Sequence, residues 1–191
     1  MTAARRSPRP YMNVTAFMDM MARFPDEERW ELLDGEPVLM APQSERHQRI
    51  VGTLLDVLRP RARDRGCVAL AGLGLLSDTV DDYAPIPDVV VRCGPLVESG
   101  YAKDPLLVAE VLSPSTMKWD RGGKVEFYQS IASLKAILLI YQDEVRVEAW
   151  LRDGEDWRRE VRQGPSADLS LPHLGGAVEL AEIYDGIPIE S

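Results

Sequence analysis

Apolar positions follow two rhythms along this chain, one helical and one strand-like. Val14, Phe17, Met18 and Met21 recur at helical spacing, which predicts a short helix over residues 15–23. The stretch ERWELLDGEPVLM comes next, with Asp34-Gly35 between two apolar-bearing runs, the signature of a β-hairpin. Ser44 offers an N-cap to a longer helix, in which His47, Ile50, Val51, Leu54, Leu55 and Leu58 keep the i, i+3, i+4 spacing of one face. Pro60 or Gly66 is expected to end it. Short apolar runs CVALAG, LGLLS, PDVVVR and LLVAEVL read as strands, and residues 92–105 as a polar loop bearing Gly and Pro. Asp120 is the expected cap of a second helix, with Lys124, Phe127, Tyr128 and Ile131 on one face. KAILLIY and VRVEAWLR then predict two strands joined by a tight polar turn at 142–144. From Gly164 onward the pattern gives turns and a last short helix near 178–184. This order predicts an α/β fold: a mixed β-sheet core flanked by helices, preceded by an N-terminal helix and β-hairpin.

Composition narrows the class. The 191 residues are 45% hydrophobic and 28% charged, a globular balance that excludes a disordered chain. Residues 1–12 read as a flexible basic tail and 13–191 as a single domain. Two cysteines, Cys67 and Cys93, do not make the framework of a small secreted scaffold. No apolar run approaches the roughly 20 residues that a membrane helix needs, and MTAARRSPRPY lacks the apolar stretch of a signal peptide. A soluble, cytoplasmic protein with no membrane partner is therefore expected. The net charge of −9 argues against a non-specific nucleic-acid coat, which needs basic excess. It does not exclude a nucleic-acid enzyme whose phosphate contacts are local. Arg59, Arg61, Arg63 and Arg65 sit where a helix C-terminus favours cations.

Three charges lie where burial is expected. Asp88 heads a continuous Val run, Glu110 sits inside LLVAEVL, and Lys124 shares its helix face with Phe127, Tyr128 and Ile131. Runs of this kind suggest strands covered on both faces, where an isolated carboxylate costs several kcal/mol or neutralises. Singly, each has a plainer reading: Asp88 at a strand entry, Glu110 on an edge, Lys124 snorkelling outward. Together, two carboxylates on neighbouring strands call for a cation between them. A hard divalent ion with oxygen ligands, Mg2+ above all, fits that need. Carboxylates, a lysine and a hard metal suit phosphodiester hydrolysis, although the residue types also permit other phosphoryl chemistry.

Pro87-Asp88, Glu110-Val111-Leu112-Ser113-Pro114-Ser115-Thr116, and Asp120-Arg121-Gly122-Gly123-Lys124 with Tyr128 resemble the Uma-type endonucleases, a bacterial family within the PD-(D/E)XK nuclease superfamily. The hairpin Trp30-Glu31-Leu32-Leu33-Asp34-Gly35-Glu36 and a helix-borne His47 are similar to that family too, and the resemblance spans roughly residues 14–185. It implies a restriction-endonuclease-like fold and a Mg2+-dependent endodeoxyribonuclease, with Mn2+ as a substitute ion. By position, Asp88 and Glu110 would hold the metal, with the backbone carbonyl of Val111 as a further ligand. The superfamily's lysine two residues after the second acid is absent, since Leu112 stands there, and the helical Lys124 would replace it. Glu31, which hairpin alternation places with Leu33 on the face opposite Trp30 and Leu32, is either an outer carboxylate near the metal or a charged hairpin residue in water. His47 is either a proton carrier or a structural histidine.

The chain departs from the family at Ser133-Leu134-Lys135-Ala136-Ile137, where an aromatic, acidic segment is common; that strand is expected to pack rather than catalyse. Gly122-Gly123 weakens a helix start by about 1 kcal/mol per residue, and either admits a phosphate to the backbone or marks a flexible turn. The expected partners are a DNA substrate and a second copy of the chain, because two strand cuts often need two sites. The competing reading is a catalytically inactive nucleic-acid or protein-binding module on a nuclease scaffold, motivated by the acidic charge and by Leu112.

Overall fold

A computed structural model of the chain describes residues 11–25, 27–113 and 122–189. Helix α1 (Val14–Met21) starts at Asn13, whose side chain accepts from the Ala16 amide. Strands β1 (Trp30–Leu33) and β2 (Glu36–Leu39) pair antiparallel across Asp34-Gly35. Both turn residues have positive φ, 51° and 69°, as a two-residue hairpin turn with the twist of its strands requires. Leu32 from this hairpin and Phe17 from α1 close a small core against Ala84. Tyr11 and Met12, assigned above to the tail, are already anchored: the Tyr11 hydroxyl bonds Asp82, and the Met12 amide bonds the Gly35 carbonyl at 2.9 Å.

Ser44 caps α2 (Glu45–Arg63), its hydroxyl accepting from the His47 amide. The helix passes through Pro60 and ends three residues later. Proline removes a single hydrogen bond here, in a last turn whose remaining contacts hold it, and Gly66 at φ 69° takes the turn beyond. Then come β3 (Val68–Ala71), β4 (Gly74–Leu75), β5 (Val89–Arg92), β6 (Tyr101–Ala102) and β7 (Pro105–Leu112). The loop expected between β5 and β7 thus contains β6, which pairs in parallel with β4.

Helix α3 (Gly123–Gln129) begins after Gly122; Asp120, expected as its cap, lies outside the described residues, as do 114–119 and Arg121 of the motif. A side chain at Gly123 would collide with the Tyr83 hydroxyl, so a protein ring rather than a phosphate occupies the space that this glycine opens. Strands β8 (Ala136–Tyr141), β9 (Arg146–Asp153) and β10 (Asp156–Gln163) follow. Leu134, Ala136 and Ile137 are buried, so the segment that departs from the family does pack. The chain then forms a second hairpin, β11 (Asp168–Leu171) with β12 (Gly176–Glu179), and α4 (Leu180–Ile183).

Six strands make the central sheet in the order β10-β9-β8-β7-β5-β3. All neighbours are antiparallel except β7 and β8, whose parallel pairing is bridged by the crossover carrying α3. The apolar runs of β5, β7 and β8 are buried on both faces. One face packs α2, α4 and the second hairpin over Val89, Val91, Ala109, Val111 and Leu138. The other packs α3 over Val90, Val108, Leu112, Ile137 and Leu139. Val68 pairs with Arg92, which sets Cys67 opposite Cys93, and the two form a disulfide across the sheet edge. No helix of the described residues is long and apolar enough to cross a membrane.

Candidate active site

The register of the central sheet assembles the charged cluster. Val89 faces Ala109 in the antiparallel pairing of β5 and β7, so Asp88, one residue before β5, stands opposite Glu110. Glu110 projects with Val108 and Leu112 toward α3. From that helix Lys124 and Tyr128, one turn apart, reach down to the same oxygen, Oε1, at 3.2 and 2.5 Å. Glu31 comes from the hairpin: its Oε1 lies 2.9 Å from Lys124 Nζ and accepts from the Ile86 amide at 2.7 Å. Alternation does put Glu31 and Leu33 toward the cleft and Trp30 and Leu32 toward the small core.

Burial separates this cluster from surface ion pairs. The side chains of Lys124, Glu31 and Glu110 are 5%, 8% and 5% exposed. Charges so enclosed are held only by mutual pairing and hydrogen bonds. Each carboxylate has a neutral donor beside the ammonium: a backbone amide for Glu31 and a phenol for Glu110.

Asp88 sits at the open end of β5. Its Oδ2 accepts from the Val111 amide at 2.8 Å and lies 3.1 Å from His47 Nε2. The N–H and C=O of a strand residue point to the same edge, so the Val111 carbonyl also heads to the Asp88 side of β7. His47 is buried on the first turn of α2, reaching the site across the sheet's end rather than turning into the apolar core. All five candidate side chains, with Val111, line one cleft of about 450 Å3. Among the described residues no three His, Cys, Asp or Glu side chains form a ready-made metal cage. The carboxylates of Glu31, Asp88 and Glu110 bring oxygen donors to the cleft, a set that suits a hard cation.

Two further residues belong to this arrangement. Tyr128 entered the sequence reading only within a motif and on an apolar face, yet its hydroxyl holds Glu110. Gln142, read as part of a polar turn, is 8% exposed; its Nε2 donates to the Leu112 carbonyl at 2.7 Å, and its Oε1 accepts from Ser44 Oγ at 3.1 Å. Periodicity shows a tyrosine's face but not its hydroxyl's partner, and a turn glutamine carries no signal of burial.

Comparison with known proteins places the chain as a whole. The model of the Uma2 family, described as putative restriction endonuclease, matches residues 15–181. Uncharacterized protein slr1290 of Synechocystis sp. is 31% identical over 165 residues, covering 84% of this chain and 85% of that protein. Uncharacterized protein sll1609 of the same organism is 30% identical over 157 residues, covering 77% and 86%. The fold matches that of a putative nuclease belonging to DUF820 from Anabaena variabilis, with a TM-score of 0.75 at 17% identity over 93% of this chain and 99% of that one.

Proposed function

The chain belongs to the Uma2 family, and from that premise we propose that it is a metal-dependent endonuclease that hydrolyses phosphodiester bonds of DNA. The observation that carries this reading is the meeting of Asp88, Glu110 and Lys124 in one cleft, with the three side chains on neighbouring elements. Asp88 and Glu110, with the Val111 carbonyl, would hold Mg2+, for which Mn2+ can substitute. Bound there, the ion supplies Lewis-acid polarisation of the scissile phosphate and a water of lowered pKa.

The chain's own residues divide the remaining work. Lys124 presents an ammonium beside Glu110, placed to orient the attacking water and to balance charge that develops on the phosphate. Glu31 holds that ammonium at 2.9 Å and ties it, through the Ile86 amide, to the segment entering Asp88. Tyr128 fixes the Glu110 carboxylate from the opposite helix turn. Leu112 leaves no lysine at the superfamily's usual place, and α3 brings Lys124 to the same carboxylate from above the sheet. A homodimer would bring two such sites to the two strands of a duplex.

The test is cleavage of supercoiled plasmid with Mg2+ or Mn2+ by the wild type and by Glu110→Ala. Nicking that needs the ion and is lost in the variant, with circular dichroism unchanged, is expected. A variant as active as the wild type would sink the assignment. Parallel RNA and branched-DNA substrates settle which nucleic acid is cut.

A further inference from the structure

His47 sits between two elements of the site, and its two ring nitrogens have different fates. The residue is 3% exposed, its amide held by the Ser44 hydroxyl at 3.2 Å. Nε2 lies 3.1 Å from Asp88 Oδ2, whereas Nδ1 is buried and has no hydrogen-bond partner among the described residues. We propose that His47 is a positioning residue that donates from Nε2 to Asp88 and fixes that carboxylate for the metal, with Gln142 bracing it through Ser44. The inference rests on the reading of Asp88 as a metal ligand.

The hydrogen-bond inventory selects the tautomer. With the proton on Nε2, the ring gives the carboxylate a donor and leaves a bare acceptor at Nδ1, the milder orphan. With the proton on Nδ1, a lone pair would face the carboxylate, and an N–H would be buried unpaired. A proton carrier needs its second nitrogen open to water or substrate, and Nδ1 is closed to both.

The consequence for Asp88 is directional. His47 and the Val111 amide both converge on Oδ2. Oδ1 accepts no hydrogen bond among the described residues and is left to what binds in the cleft. Gln142 adds the second half of the brace: it links the Ser44 cap of α2 to the Leu112 carbonyl, two residues beyond Glu110. The first turn of α2, and with it His47, is thereby held at a set distance from the strand that carries the other carboxylate. Hydrogen-bond partners of metal ligands typically change metal affinity by about 10- to 100-fold when removed.

Two measurements on the full chain test this. Nitrogen-15 NMR of the imidazole in the metal-free wild type should show a proton on Nε2; a ring protonated on Nδ1 alone would overturn the inference without any variant. Calorimetric titration with MnCl2 should show affinity reduced about tenfold or more in His47→Leu, a smaller loss in Gln142→Leu, and near wild-type affinity in His47→Gln, whose amide Nε2 still donates. Equal affinity in the wild type and His47→Leu, or a Gln variant as weak as the Leu variant, would overturn it while leaving the nuclease reading intact. A wild type that takes up no Mn2+ would overturn both.

Discussion

Replacing Lys124 with methionine separates the electrostatics of the site from its chemistry. The ammonium lies 2.9 Å from Glu31 and 3.2 Å from Glu110, with all three side chains less than a tenth exposed. At an effective dielectric near 20, each such pair is worth roughly 5 kcal/mol in gross Coulomb attraction, before desolvation is subtracted. The net figure is smaller: removing one partner of a buried pair costs about 3–5 kcal/mol, because the remaining charge stays out of water. Methionine keeps much of the lysine stem's length, so a cavity adds little. Urea denaturation at pH 7 should therefore show the variant about 3–5 kcal/mol less stable, with an unchanged denaturant slope. Adding Glu31→Gln should recover part of the loss, giving a coupling of about 1–3 kcal/mol in the double-mutant cycle. A loss below about 1 kcal/mol, or strict additivity, would refute the claim that the cluster is a buried, mutually dependent charge system.

Other outcomes follow from the same structure. The Cys67–Cys93 bridge spans 26 residues of sequence, so Cys67→Ser should destabilise the oxidised protein by about 3.5 kcal/mol on the chain-entropy account; a wild type that loses no stability on reduction would contradict it. The Tyr11 hydroxyl is pushed up to about 12 by its hydrogen bond to Asp82, and burial raises Tyr83, Tyr101 and Tyr184 above the usual 10. The folded state keeps phenolic protons that the unfolded chain loses near pH 10. Their stabilisation is full below pH 10 and lost as pH climbs toward 12, so the urea midpoint should fall across that interval, and a flat midpoint would count against it. Mg2+ at a hundred times its dissociation constant should add about 2.7 kcal/mol of stability. An equal thermal shift in Asp88→Asn would place the ion elsewhere.

Local chemistry made much of the architecture readable. Asp34-Gly35 marks its hairpin because both residues tolerate the positive φ that the turn demands, and Ser44 marks α2 because its hydroxyl meets an otherwise unpaired amide. The continuous apolar runs of β5, β7 and β8 announce strands buried on both faces, which is also why Asp88 and Glu110 stood out. Strand β10 escaped notice since DWRREVRQ lies at the sheet edge, where polar residues on both faces hide the alternation. The second hairpin was read as turns for a similar reason: its strands are four residues each and half exposed. Long-range pairing was beyond local reading. The disulfide depends on β3 lying antiparallel to β5, and the bonds of Tyr128 and Gln142 depend on elements up to 98 residues away in sequence. The sealed nitrogen of His47 is likewise a property of packing.

The central claim is that Asp88 and Glu110 hold a divalent metal ion beside Lys124. Crystals soaked in concentrated Mn2+ and measured for anomalous scattering test it most directly. A peak within coordination range of both carboxylates and the Val111 carbonyl, with Lys124 adjacent, is predicted. Empty carboxylates, or a peak away from this cleft, would contradict it.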